Sequence, residues 1–227
     1  MNVFRRVEQK YILSKKQYEL LQDIIKSKFK KDKYYKSKIY NLYFDNSSND
    51  MIINSIEKPL YKEKIRVRSY NEVKNKDDIV YLEMKQKYKS IVYKRRVMMT
   101  LFEYNKYIRS GKVSKKDGQI MKEIDYYIKY YKANPYVYVA YDRLSYYDID
   151  DINFRITFDN NLRYRFDDLG LYDSKLDKKY FDNDMYIMEV KSMNNLPLWF
   201  VEVLSLNKIY PQSFSKVGNI YVKEGNR

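Results

Sequence analysis

Charged residues recur two apart, with apolar residues between or beside them, in five strand-like stretches: Glu8 and Lys10, Arg66 and Arg68, Glu83 and Lys85, Lys94 and Arg96, and Glu189 and Lys191. Alternate side chains of a strand leave on the same face, so each doublet aims two charges at one side of a sheet while Val67, Met84 and Val190 take the other. The sheet this pattern demands has one charged, mostly cationic face and one apolar face. It either lies open to water or wraps around a polyanion.

Composition narrows the partner. The 227 residues are 44% hydrophobic and 33% charged, the proportions of one soluble globular domain spanning 1–227, and the net charge of +15 favours an anionic partner: nucleic acid, a membrane surface or a phosphorylated small molecule. With no cysteine and no histidine, the chain has no disulfide frame, thiolate nucleophile or imidazole base. Catalysis would have to use carboxylates, Lys, Arg, Ser, Tyr and hard cations, a set suited to phosphoryl transfer, where the protein mainly positions groups and neutralises charge. The opening MNVFRRVEQK has no apolar signal core, and no apolar stretch approaches the ~20 residues of a membrane span, so a cytoplasmic location is expected. The 28 tyrosines follow from an AT-rich coding composition as readily as from base stacking.

The pattern along the chain predicts a strand over 3–13 and a helix capped by Ser14 and running to about 29, with Leu20, Leu21, Ile24 and Ile25 on its buried stripe. Strands follow at 38–45, 62–70, 79–87 and 90–98. Two helices fill 100–132, broken near Ser110 and Gly111. Strands return at 136–147, 153–159, 162–166 and 185–193, and helices at 198–206 and after Ser213. The class is α+β, dominated by an antiparallel sheet.

A single doublet is most simply the solvated face of a two-layer sheet. The set is harder to place there, because Arg and Lys recur with Val, Ile, Met or Phe opposite. Closing the sheet into a barrel of about eight strands puts the cations inside and leaves the apolar face for helices to cover. Such an interior is untenable when dry and empty, so it must hold water, ions and a polyphosphate.

The ordered stretches Arg6-x-Glu8-x-Lys10, Ile65-Arg66-Val67-Arg68, Leu82-Glu83-Met84-Lys85, Tyr93-Lys94-Arg95-Arg96, Tyr141-Asp142-Arg143, Arg155-Ile156-Thr157-Phe158-Asp159, Met188-Glu189-Val190-Lys191 and Phe214-Ser215-Lys216 resemble the polyphosphate polymerase domain of the vacuolar transporter chaperone (VTC) family, among the CYTH-like triphosphate tunnel metalloenzymes. The resemblance spans residues 4 to about 221. It implies a closed antiparallel eight-stranded tunnel with flanking helices, in which Lys10, Arg66, Arg68, Lys85, Lys94, Arg143, Arg155, Lys191 and Lys216 contact phosphate. It further implies Glu189 as the principal ligand of Mn²⁺ or Mg²⁺, and Ser215 beside the terminal phosphate with Lys216.

Other roles stay open for several of these. Lys10 and Lys85 can pair with Glu8 and Glu83 as salt bridges, Glu8 and Glu83 can orient cations at the substrate rather than bind metal, and Ser215 can cap the helix that follows it. Arg96, Arg163 and Arg165 share the pattern without a motif counterpart, as tunnel-mouth or surface residues. Thiamine triphosphatases and class IV adenylyl cyclases of the superfamily begin Glu-x-Glu-x-Lys, whereas Arg6 stands at the first of those positions here. A cation in place of a ligand favours a long polyanion over a two-metal triphosphatase.

The function expected is transfer of the γ-phosphoryl group of a nucleoside triphosphate, ATP in the first instance, to a growing polyphosphate chain. The alternatives are hydrolysis of inorganic or nucleoside triphosphate, and non-catalytic binding of polyphosphate or nucleic acid. Nucleic acid is disfavoured, since there is no RNP-type Gly-aromatic motif and the cations follow the strand period rather than one helix. A separate membrane-protein partner that receives the product is left open.

Overall fold

The computed structural model describes residues 7–57, 59–89, 91–113, 118–193 and 195–225. Arg6, the residue at the departure from the superfamily pattern, lies outside them. Among the described residues, nine strands and six helices follow one another as β1 (Val7–Ser14), α1 (Lys15–Lys28), β2 (Phe29–Asp45), α2 (Asp50–Ile56), β3 (Tyr61–Ser69), β4 (Ile79–Tyr88), β5 (Ile91–Thr100), α3 (Leu101–Ser110), α4 (Gln119–Tyr131), β6 (Asn134–Asp148), β7 (Arg155–Arg165), the two-residue β8 (Lys178–Lys179), β9 (Met185–Ser192), α5 (Leu198–Leu206) and α6 (Lys216–Lys223). The class is α+β, and β1 with β9, β7 with β9, β2 with β3, β3 with β4 and β4 with β5 pair antiparallel.

The hydrogen-bonded order is β1-β9-β7-β6-β2-β3-β4-β5, with β8 beside β7. Among the described residues the ladder ends at β1 and β5, so the fold is α+β with an antiparallel sheet as expected, without closure into an eight-stranded barrel being shown. Charge alternation reports which face a residue takes; closure depends on tilt and stagger, which the alternation does not encode.

Helix starts follow their caps. Ser14 forms a capping box with Gln17, its Oγ accepting from Gln17 N at 3.2 Å while Ser14 N donates to Gln17 Oε1 at 3.0 Å. Thr100 and Glu103 repeat the device at α3, and Gly111, at φ +61°, ends that helix in the left-handed conformation. On α1 only Leu21 and Ile25 of the expected stripe are buried, whereas Leu20 is exposed. Two features escape the sequence pattern. α2 has no side-chain cap on Asn49; instead the buried Asp45 carboxylate accepts from Met51 N and Ile52 N at 3.0 and 2.8 Å. β2 begins at Phe29, directly after α1, because Lys30 to Lys38 alternate without burying an apolar side.

The chain forms two compact units, one from the segments up to Lys38, Tyr141–Leu162 and Lys179–Phe214, the other from Ile39–Ala140, Arg163–Lys178 and Ser215 onward. Each has its own core. In the first, Tyr11, Leu13, Ile156, Phe158, Met188 and Val190 pack with Leu21 and Ile25 of α1 and Phe200 and Leu204 of α5. In the second, Leu42, Ile65, Val67, Val80, Leu82 and Met84 pack with Tyr104 and Tyr107 of α3 and Met121 and Ile124 of α4. Val67, Met84 and Val190 are fully buried, as the alternation requires. No helix among the described residues is long and apolar enough to cross a membrane.

Leu82 has no exposed surface, so Leu82→Ala should cost about 2–5 kcal/mol by urea unfolding. Met98→Ala, at a β5 position 66% exposed, should stay within about 0.5 kcal/mol. Equal costs would contradict the assignment of the helix-covered face.

Candidate functional site

In the second unit the charged face is built row by row across three strands. Lys64 stands opposite Lys85, which stands opposite Lys94; Arg66 faces Glu83, which faces Arg96; Arg68 faces Tyr81, which faces Met98. These three rows hold six cations and one carboxylate. Three ammonium groups in one cross-strand file oppose folding, since like charges directly opposite destabilise a sheet. The face is therefore organised for something other than stability alone.

Glu83 holds it together. Its Oε2 accepts from Arg66 Nε and Nη2 at 2.9 and 2.7 Å, and its Oε1 accepts from Arg96 Nε at 2.7 Å and lies 2.7 Å from Lys94 Nζ. Burial pushes the Glu83 carboxyl up, but Arg66, Arg68 and Lys94 more than reverse this and hold it well below the usual carboxylate range. Lys85 makes no ion pair with Glu83; it is exposed and without a partner among the described residues. Arg68 is buried and donates through Nε to Asn41 Oδ1 at 2.8 Å.

Three groups on this face are absent from the sequence-based assignment. Arg66 Nη1 donates to the Tyr43 hydroxyl at 3.0 Å. Burial raises the Tyr43 phenol, yet Arg66, Arg68 and Lys64 outweigh it and bring it down to about 7. Arg96 also donates to the Tyr70 hydroxyl at 2.6 Å, which makes it a full member of the face rather than a mouth or surface residue. Lys64 Nζ donates to Ser215 Oγ at 2.9 Å. Lys64 was legible, since 64 continues the period of 66 and 68. Tyr43 was not, because nothing in KIYNLYFD distinguishes it from its neighbours. Ser215 caps α6, accepting from Gly218 N at 3.2 Å, and Lys216 is the first residue of that helix.

Arg163 and Arg165 belong elsewhere. Asn161 adopts φ +50° within β7, and past this bulge the alternation of β7 is broken. Arg165 is buried, 2.5 Å from Asp177 and stacked 3.6 Å from the Tyr138 ring centroid, while Arg163 binds Asp173 at 2.6 Å. Both are structural ion pairs at the core, not members of the charged face.

In the first unit the rows are Glu8, Lys191 and Arg155, then Lys10, Glu189 and Thr157. Glu189 pairs with Lys191 and lies 3.9 Å from Lys10, which is also 4.0 Å from Glu8 and donates to the Phe214 carbonyl at 3.0 Å. Burial pushes Glu189 up, but Lys191, Arg143 and Lys10 hold it well below the usual range, so it is a carboxylate at neutral pH. Arg143 forks onto Asp159, Nε to Oδ1 at 2.6 Å and Nη2 to Oδ2 at 2.7 Å. Arg155 lies 3.4 Å from Asp32 and donates to the Ile152 carbonyl at 3.2 Å.

No cluster of three or more Asp or Glu residues gathers among the described residues. The carboxylate that the resemblance implies for a hard cation is Glu189, which stands opposite Thr157, whose buried Oγ1 has no hydrogen-bond partner. That donor set fits an ion such as Mg²⁺ or Mn²⁺, which takes one or two carboxylates and leaves other positions for substrate phosphate oxygens.

The architecture defines a class. A candidate adenylate cyclase from Bacillus halodurans matches with a TM-score of 0.57 at 13% identity, over 93% of this chain and 95% of its own. One from Vibrio parahaemolyticus matches at 0.50 with 10% identity, over 96% and 99%. At such identities the likeness is one of fold alone. Residues 5–222 match the VTC domain, and the chain belongs to that family. No curated protein matches the sequence.

Tyr43 gives the site a pH signature. Its folded-state pKa near 7 lies below the ordinary 10.0, so the stability it contributes is absent below about pH 7 and grows as pH rises toward 10. Denaturant unfolding at about pH 6 and about pH 9 should show Tyr43→Phe losing stability relative to the unsubstituted chain mainly at the higher value. A pH-independent difference would refute this charge state.

Proposed function

We propose that the chain is a metal-dependent polyphosphate polymerase. It binds a nucleoside triphosphate, ATP in the first instance, and transfers the γ-phosphoryl group to a phosphate or growing polyphosphate chain. A terminal oxygen of the acceptor forms the new bond to γ-phosphorus, the bond to the β-phosphate oxygen breaks, and the nucleoside diphosphate leaves. Membership of the VTC domain family and a CYTH-like fold support a triphosphate-handling protein.

The observation that carries the reading is the file Lys64, Lys85, Lys94. An extended polyanion turns the repulsion within that file into attraction. Arg66 and Arg68 are the assigned guanidinium contacts to phosphate oxygens, a chemistry suited to the planar guanidinium, and the lysines supply movable point charges along the chain. Lys216 and Ser215 bring the first turn of α6 to the same face through Lys64. In the first unit Lys10, Arg143, Arg155 and Lys191 are the assigned phosphate contacts, with Glu8 orienting Lys10. Glu189 would hold Mn²⁺ or Mg²⁺, which when bound neutralises charge on the transferring group.

Pure protein with ATP and Mn²⁺ should yield ADP and long-chain polyphosphate; ADP with only free phosphate would make it a hydrolase. Glu189→Gln should lower turnover by about 10²–10³ while triphosphate still binds. Undiminished metal-dependent turnover in that variant would remove Glu189 from the metal site.

Arg66→Ala and Arg68→Ala should each cost about 1.5–3 kcal/mol in triphosphate binding, and a Lys15/Lys16 double Ala control at the start of α1 should cost little. Nucleic-acid binding would instead fall evenly with each cation lost. Equal losses of triphosphate affinity in the two sets would sink the assigned face.

A further inference from the structure

The far end of the same three strands, beyond the lysine file, is neither polar nor covered. Tyr61 stands opposite Tyr88, which stands opposite Ile91, and the next row is Lys62, Lys87 and Val92. Leu60, Tyr61, Tyr88, Ile91, Val92 and Tyr93 are between 37% and 69% exposed. Sheet ends are ordinarily finished with polar turn residues; six large apolar side chains at one end call for a partner. The backbone there is fixed: Lys89 N donates to the Leu60 carbonyl at 2.6 Å, and Lys89, at φ +52°, turns the chain between β4 and β5. The Tyr61 hydroxyl is met by Gln86 Nε2 at 2.8 Å and lies 3.1 Å from the Tyr127 hydroxyl.

At this end of β4 and β5 the charge carried by the two strands themselves has one sign, with Glu123 of α4 paired to Arg95 at 3.0 Å. From Lys85 to Arg96 the sequence KQKYKSIVYKRR contains no acid. Glu63, in the row after Lys62, is buried and its Oε1 accepts from the Tyr131 hydroxyl at 2.5 Å. We propose that this end of the sheet docks on an anionic lipid bilayer, with Leu60, Ile91, Val92 and the tyrosines entering the headgroup region and Lys62, Lys87 and Lys89 lying against lipid phosphates.

The chemistry selects this occupant over the other anions that a net charge of +15 admits. Leu60, Ile91 and Val92 have no ring on which a base could stack, so a single-stranded nucleic acid would leave them uncovered. A second copy meeting the same surface by two-fold symmetry would bring lysines against lysines. An interface rich in tyrosine, with aliphatic tips and flanking lysines, matches the graded polarity of a bilayer surface, and each basic residue near an anionic leaflet adds attraction that salt screens.

Cosedimentation with vesicles of phosphatidylcholine alone, and of phosphatidylcholine with phosphatidylglycerol, tests this. The protein should bind the anionic vesicles, release in high salt, and bind the neutral ones weakly. Leu60→Ser/Ile91→Ser/Val92→Ser keeps every charge and should weaken anionic-vesicle binding about tenfold or more. Lys87→Ser/Lys89→Ser, which keeps every apolar group, should weaken it severalfold. Melting temperature reports folding of each variant, and Ile91→Ser alone replaces the triple variant if that one melts early. Failure to bind anionic vesicles, or undiminished binding by the triple variant, overturns the proposal, since the second result would show only the attraction of net charge. So would a triple variant that loses single-stranded RNA affinity while retaining vesicle binding, or one that dissolves a lipid-free dimer. These readouts are independent of ATP turnover, so they stand or fall apart from the polymerase assignment.

Discussion

Repulsion between cations held in register is the constraint on which the charged face of the second unit depends. Strand pairing places Lys64, Lys85 and Lys94 in one file and brackets it with Arg66 and Arg96, and only one carboxylate stands among them. Glu83 therefore has to serve three cations at once, and it can do so because it is buried and both oxygens are saturated by donors. The apolar side of the same strands supplies the opposing term: Ile65, Val67, Leu82 and Met84 are fully buried, and their transfer from water holds β3 and β4 together against the repulsion on the other side. The two faces of each strand are thus coupled, since any slip of one residue would put lysines in the core and valines on the face.

Much of this was legible because it is carried by period. The doublets name the face of every strand they occupy, and the buried residues between them name the core. Caps were legible for the same local reason: Ser14 with Gln17, and Gly111 after α3, are read from a few adjacent residues. The sequence pattern failed where the deciding contact is distant or where one residue breaks the period. α2 is capped from Asp45 across a turn, and Arg163 and Arg165 leave the alternation because Asn161 inserts a left-handed residue into β7. Tyr43 was hidden because its character comes from Arg66, which lies 23 positions further along.

Closure of the sheet was the least legible property. Alternation constrains a strand and its two faces, not the pairing of the first strand with the last. The ladder that ends at β1 and β5 among the described residues keeps the alternation of the doublets without showing closure.

Two acids of the charged faces, the buried Glu83 and the half-buried Glu189, have surroundings that divide the labour between them. Glu83 is engaged by two guanidinium groups, whose planar, preorganised forks are hard to displace from a carboxylate, and by Lys94 as well. An incoming cation would have to break that arrangement and leave Arg66 and Arg96 without their counter-charge. Glu189 is in contact with the Lys191 ammonium and 3.9 Å from that of Lys10, both on flexible stems that can swing toward an arriving phosphate, while the Arg143 guanidinium that also holds it ionised is forked onto Asp159. Thr157 Oγ1, buried and without a partner in the same row, adds a neutral oxygen that nothing else in the fold uses. A carboxylate whose counter-ions can leave is the one that can accept a metal, and a carboxylate whose counter-ions cannot leave is the one that orients them. On that ground the proposed metal would sit at Glu189 while Glu83 organises the cationic rows, even though both acids are held ionised well below the usual range.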